Sequence, residues 1–188
     1  MEICLKSTVS FEELKNIMFD IGFKVQEDFQ MNDIYMINKD VDISLDNKDV
    51  IFKDNILVRE TVGKKILLVN KIKELDDNGI VIGERSIKCP ITDSESGYKF
   101  LCSIGYKKVF ELRDHNLLVT NGVNEIYIQD VEGLGTYIEM EQKNLLLKET
   151  NGDSIDGLVN TIKKYNLPLD YSNISVKKSL EMLKIICK

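Results

Sequence analysis

The sequence predicts an α+β fold in which an antiparallel sheet curls into a closed barrel with helices packed outside it. Three observations lead there. Short runs of alternating apolar and polar residues, separated by Gly, Asn and Asp turns, fill the first 150 of the 188 residues. A few amphipathic helical stretches interrupt them. Most strand-like runs gather charged residues on one face and Ile, Leu and Val on the other, following the two-residue period of a strand. The helices need the apolar face to pack on, and a sheet of many short strands tends to curl and close. The charged faces then point inward. A chain of this length can bury one sizeable core, so residues 1–188 are expected to form a single domain, with 1–150 building the barrel from two similar halves and 151–188 adding helices.

The chain opens with the strand EICLK, in which Ile3 and Leu5 share one side while Glu2, Cys4 and Lys6 share the other. SFEELKNIMFDIGF follows as a helix, with Ser10 as N-cap, Glu13 three residues on, an apolar stripe of Leu14, Ile17, Met18 and Ile21, and Gly22 to end it. KVQEDFQ and NDIYMI read as strands, as do DVIF, ILVRE and KKILLVNKI after a polar stretch.

Past a DNG turn the plan recurs. GIVIGERSIKC is a strand, TDSESGYKFLCSIGY a short helix closed by Gly105, and KKVFELRDHNLLV a strand again. IGFKV at Ile21 to Val25 and IGYKKV at Ile104 to Val109 hold the same place after their helices, which points to one unit used twice. NEIYIQDV, a Gly-Leu-Gly turn at Gly133 to Gly135, and TYIEMEQ complete the strands. SIDGLVNTIKKY and SVKKSLEMLKII, divided at Pro168, read as helices.

A formal charge of −6 argues against nucleic acid or an anionic membrane as a partner. Cys4, Cys89, Cys102 and Cys187 form no C-x-x-C pair, so free thiols in a reducing compartment are expected. No signal segment or membrane-spanning run is legible, and a cytoplasmic location is the expectation. The single histidine, His115, sits in a polar RDHN run and reads as a surface residue.

A wetted outer face explains any one of the charged strand faces. Taken together, their acids and bases suit a cavity that holds a polyanion with its metal ions. Carboxylates such as Glu139 and Glu141 can ligate Mg²⁺ or Mn²⁺, while Lys and Arg neutralise phosphate oxygens, Arg through a bidentate fork. Two of the three arginines, Arg59 and Arg113, fall on the proposed inward faces; Arg85 is the third.

VEGLGTYIEME, Val131 to Glu141, resembles the segment of the CYTH superfamily in which a Gly-Leu-Gly turn precedes a Glu-x-Glu strand. This superfamily of triphosphate tunnel metalloenzymes includes class IV adenylate cyclases, thiamine triphosphatases and inorganic triphosphatases. NLPLDYSNISVKKSLEML is similar to its helical ending, with Ser179 kept and Leu180 in place of a tyrosine. The opening Glu-x-Glu-x-Lys of the family corresponds to Glu2, Cys4 and Lys6. Leu57 and Arg59 stand for a pair of arginines, Ser86 for a second glutamate after Glu84, and Gln129 for an aspartate, with Asp130 beside it.

The resemblance implies a closed eight-stranded antiparallel tunnel that binds a triphosphate with one or two divalent cations, Mg²⁺ or Mn²⁺. By match, Glu2, Glu139 and Glu141 would hold metal, and Lys6, Arg59, Lys71 and Arg113 would hold phosphate. Glu84 and Lys6 would serve the chemistry, Glu84 by orienting a base or a water and Lys6 as a proton acceptor. The implied partner is tripolyphosphate, a nucleoside triphosphate or thiamine triphosphate, hydrolysed by a monomer or homodimer. The alternatives are a polyanion-binding module without turnover, motivated by the charges missing at Cys4, Leu57, Ser86, Asn116 and Gln129, and an adenylate cyclase.

Overall fold

The computed structural model describes residues 2–53, 55–75, 81–141 and 155–188, with the side chains of 71–75 and 81–85 left undescribed. Among the described residues, one antiparallel sheet carries nine strands, ordered β5-β4-β3-β2-β6-β7-β8-β1-β9, and five helices accompany it. The strands are β1 (Glu2–Ser7), β2 (Lys24–Asn38), β3 (Ile56–Thr61), β4 (Lys65–Leu75), β5 (Val81–Pro90), β6 (Tyr106–Thr120), β7 (Glu125–Val131), β8 (Gly135–Glu141) and β9 (Leu169–Asp170). The helices are α1 (Phe11–Asp20), α2 (Lys48–Lys53), α3 (Ser94–Ser103), α4 (Ile155–Lys163) and α5 (Lys178–Ile186).

The α+β class agrees with the sequence, but the sheet is not closed into an eight-stranded barrel. The reason lies at β1. One of its edges pairs with β8 in the register Glu2↔Glu141, Cys4↔Glu139 and Lys6↔Tyr137. The other pairs with β9, Lys6 facing Asp170, and bridges Cys4 to Ser175. The ninth, two-residue strand after Pro168 has too little apolar periodicity to be read from sequence.

The chain divides into two compact units, one of residues 1–29 and 114–178, the other of residues 30–113 and 179–188. In the first, Ile3, Leu5, Ile128 and Ile138 supply a sheet face that packs with Leu14 and Met18 of α1 and Leu158 and Ile162 of α4. Helix α1 starts where expected: the Ser10 hydroxyl accepts from the Glu13 backbone N–H at 3.4 Å. Between β7 and β8 the chain reverses through Gly133 and Gly135, at φ +77° and +93°, a left-handed backbone that favours glycine.

In the second unit, Met36, Val58 and Leu101 form a smaller core beneath α3. Gly97 lets α3 approach closely, since a Cβ there would lie 2.4 Å from Ile91 Cδ1. The Asp93 side chain caps this helix by accepting from the Ser96 N–H at 2.7 Å. Two expectations from the sequence are corrected. KVQEDFQ and NDIYMI are one continuous fifteen-residue strand, β2. DVIF lies in α2, where burial of Ile51 on one helical face outweighs the strand preference of a short apolar run.

Candidate functional site

Strand register groups four of the expected site residues within the first unit. Residues directly opposite one another in an antiparallel pair share a face. Glu2, Cys4 and Lys6 therefore stand on the same face as Glu141, Glu139 and Tyr137. The pairing of β7 with β8 adds Tyr127 and Gln129, opposite Glu139 and Tyr137, and that of β6 with β7 adds Asn116, opposite Gln129. Gln129, not Asp130, thus occupies the position on this face.

Glu2 and Glu141 are exposed and directly opposed. Lys6 is exposed as well, with its ammonium 5.7 Å from the centroid of the Tyr137 ring. Between the two ends lies a desolvated centre. Cys4 is only 3% exposed, and its thiol is pushed up to about 12, first by burial and then by the charge of the Glu139 carboxylate.

A chain of side-chain hydrogen bonds leads into this centre. Asn116 Nδ2 donates to Asp114 Oδ1 at 2.7 Å, and Gln129 Nε2 donates to Asn116 Oδ1 at 2.8 Å. Lys178 Nζ then donates to both Gln129 Oε1 and Glu139 Oε1, each at 2.5 Å. Asp114, Asn116 and Gln129 are all buried. The backbone places Lys178: the Cys4 N–H donates to Ile174 O and the Val176 N–H to Cys4 O, both at 3.0 Å, two residues before α5 begins.

Sequence reasoning missed Lys178. It adjoins Ser179 in the helical ending of the chain, but two lysines stand side by side there and no local pattern separates them. Lys177 is exposed and Lys178 half-buried, a difference made by the bridge to β1.

The remaining expected residues belong to the second unit. Arg59 lies opposite Asp33 and grips it bidentately, Nε to Oδ1 at 2.7 Å and Nη2 to Oδ2 at 2.5 Å. Arg113 donates through Nε to Glu111 Oε1 at 2.8 Å, and Lys108 donates to the other oxygen, also at 2.8 Å. With Asn32 these contacts lower the Glu111 carboxyl to about 2, Lys108 having the largest effect. The backbone register sets Lys71 opposite Ser86 and Glu84 opposite Lys73; the side chains of Lys71 and Glu84 lie outside the described residues. His115, back in the first unit, is half-exposed, 2.8 Å from Asp28 Oδ1 and 4.9 Å from the Phe11 ring.

The donor set of the first-unit face decides which of its acids suit the expected metal. Glu2 and Glu141 offer hard oxygen ligands from opposed positions, and Mg²⁺ characteristically takes one or two carboxylates and completes its shell with water and phosphate oxygens. That pair fits such an ion. Glu139 already holds an ammonium, and among the described residues no group of three or more His, Cys, Asp or Glu side chains forms an all-protein cage.

No protein-family model matches the chain. A protein of Methanocaldococcus jannaschii named "Putative adenylate cyclase MJ0240" is 27% identical over 172 residues, spanning 91% of this chain and 89% of that protein. Among solved structures, the PH1819 protein of Pyrococcus horikoshii superposes with a TM-score of 0.66 at 20% identity, covering 99% of each chain. A structure from Vibrio parahaemolyticus titled "putative adenylate cyclase" gives 0.62 at 14% identity, over 98% of this chain and 97% of that one. A conserved hypothetical protein of Pyrococcus furiosus gives 0.65 at 15%, covering 96% and 97%. These likenesses show a common fold.

Proposed function

We propose that this chain is a CYTH-like protein that binds a triphosphate-bearing small molecule together with a divalent cation. The observation that carries the reading is the β1–β8 register, which gathers Glu2, Lys6, Glu139 and Glu141 on one face. The name borne by the Methanocaldococcus relative supports the same class of ligand, a nucleoside triphosphate.

Glu2 and Glu141 would hold Mg²⁺ or Mn²⁺, which when bound would offset negative charge on the phosphoryl group. Lys6, on the same face, is proposed to hold phosphate oxygens, as the resemblance implies separately for Arg59, Lys71 and Arg113 of the second unit. Hydrolysis would pass the terminal phosphoryl group to water as the diphosphate leaves, whereas a cyclase would direct the ribose hydroxyl at the α-phosphorus as pyrophosphate leaves; which occurs depends on the oxygen held in line with the bond that breaks. Lys6 is the proposed proton acceptor, and Glu84 of the second unit keeps only the orienting role that the resemblance implies for it.

One observation favours a second reading, binding without turnover. Glu139 is held by Lys178, and Cys4 stands where the resembling motif has an acid.

The deciding experiment measures phosphate, pyrophosphate and cyclic nucleotide released from tripolyphosphate, ATP and thiamine triphosphate with Mg²⁺ and Mn²⁺, alongside thermal shifts. Release that vanishes in Glu141→Gln supports catalysis and identifies its class. Stabilisation without release supports the binding module. Neither response from any of the three compounds rejects the proposal.

A further inference from the structure

The hydrogen-bond chain that ends at Lys178 has a direction, and the direction has a consequence. A carboxylate only accepts, so Asp114 requires the amide nitrogen of Asn116. That turns Asn116 Oδ1 toward Gln129, which must answer with its own nitrogen. Gln129 Oε1 is thereby left facing Lys178, beside Glu139 Oε1. Buried Gln129 and half-buried Glu139 thus form a socket of two oxygens, and a cation fills it.

We infer that Lys178 is the resident cation of Glu139, an ammonium built into the fold where a divalent ion would otherwise bind. The position of the ammonium is over-determined. The Cys4–Ser175 bridge sets the backbone, Gln129 is held from behind, and the Lys178 and Glu139 side chains are only 15% and 19% exposed. A divalent ion arriving at this carboxylate meets a fixed positive charge at close range, in surroundings that screen it poorly. Cys4, buried and directly opposite Glu139, adds no compensating charge, so the ammonium alone balances this carboxylate. Glu139 is therefore withheld from metal binding, its charge balanced by Lys178.

The inference deepens the triphosphate reading, resting on it for the identity of the anion but not for the behaviour of the metal. Mn²⁺ binding is measured first, without any phosphate, on the full chain, Glu139→Gln, Lys178→Met and the double variant. Glu139→Gln is expected to change Mn²⁺ affinity less than about twofold. Lys178→Met should gain at least about tenfold in Mn²⁺ affinity, and the double variant should lose that gain, since an unpaired carboxylate is what the substitution exposes.

A tenfold loss in Glu139→Gln, or unchanged Mn²⁺ binding in a folded Lys178→Met, overturns the inference. Circular dichroism reports folding, and should Lys178→Met fail to fold, the Glu139→Gln comparison in the otherwise natural chain decides. Tripolyphosphate binding is then followed in excess chelator. Binding that persists in the natural chain and weakens in Lys178→Met supports a metal-independent cation at Glu139. Failure of every variant to bind tripolyphosphate, with the Mn²⁺ results as expected, overturns the triphosphate reading and leaves the role of Lys178 standing.

Discussion

Glu139 stands directly opposite Cys4 in the β1–β8 pair, and its carboxylate helps burial to keep that thiol protonated. The neutral thiol offsets no charge, whereas Lys178, on the same carboxylate, offsets a full one. The centre of the face therefore holds a neutral thiol beside a paired carboxylate, with its exposed acids and base at the two ends.

The Cys4 thiol gives the first pH prediction. Its folded-state value of about 12 exceeds the ordinary 9.0, so above pH 9 the unfolded chain releases a proton that the folded chain keeps. Stability from this group is complete below pH 9 and is lost as pH rises toward 12. Thermal unfolding between pH 8 and 12 should fall more steeply in the natural protein than in Cys4→Ala. A maleimide should also modify the exposed Cys89 and Cys102 well before Cys4.

Glu111 gives the opposite slope. Lys108 above all, with Arg113 and Asn32, lowers its carboxyl to about 2 from 4.5. Its stabilising contribution is present above pH 4.5 and is lost as pH falls toward 2, because the unfolded chain takes up the proton first. Acid titration of Glu111→Gln should show a shallower loss of stability over that interval than the natural chain.

Arg59 and the buried Asp33 form a bidentate pair. Arg59→Ala leaves that carboxylate without its cation and should lower stability by roughly 3 kcal/mol in urea unfolding. Arg59→Lys should recover part of the loss, since it restores charge without the fork. On the proposed function, Arg59→Ala should weaken tripolyphosphate binding more than Arg85→Ala does.

The core of the first unit is tested at Leu14, which is fully buried. Leu14→Ala should cost about 3 kcal/mol, through lost burial and the cavity left behind. Ser10→Ala, one turn earlier, should cost about 1 kcal/mol by removing the α1 cap. Denaturant midpoints that move equally in the two variants would contradict this ranking.

The sequence by itself determined whatever depends on neighbours along the chain. Ser10 and Glu13 announced the start of α1, Gly133 and Gly135 the β7–β8 turn, and the two-residue period which side chains share a face within β1 and within β8. Those features follow from backbone geometry and local hydrogen bonding, which a few residues suffice to specify. Only the tertiary structure decided the edges of the sheet and the partners of the charges. Residues 169 to 176 take the second edge of β1, Gln129 rather than Asp130 meets the charged face, and Lys178, 39 residues from Glu139, is chosen over Lys177. Each of these depends on segments far apart in the chain reaching one place, and a charge buried there must find a partner whatever its distance in sequence.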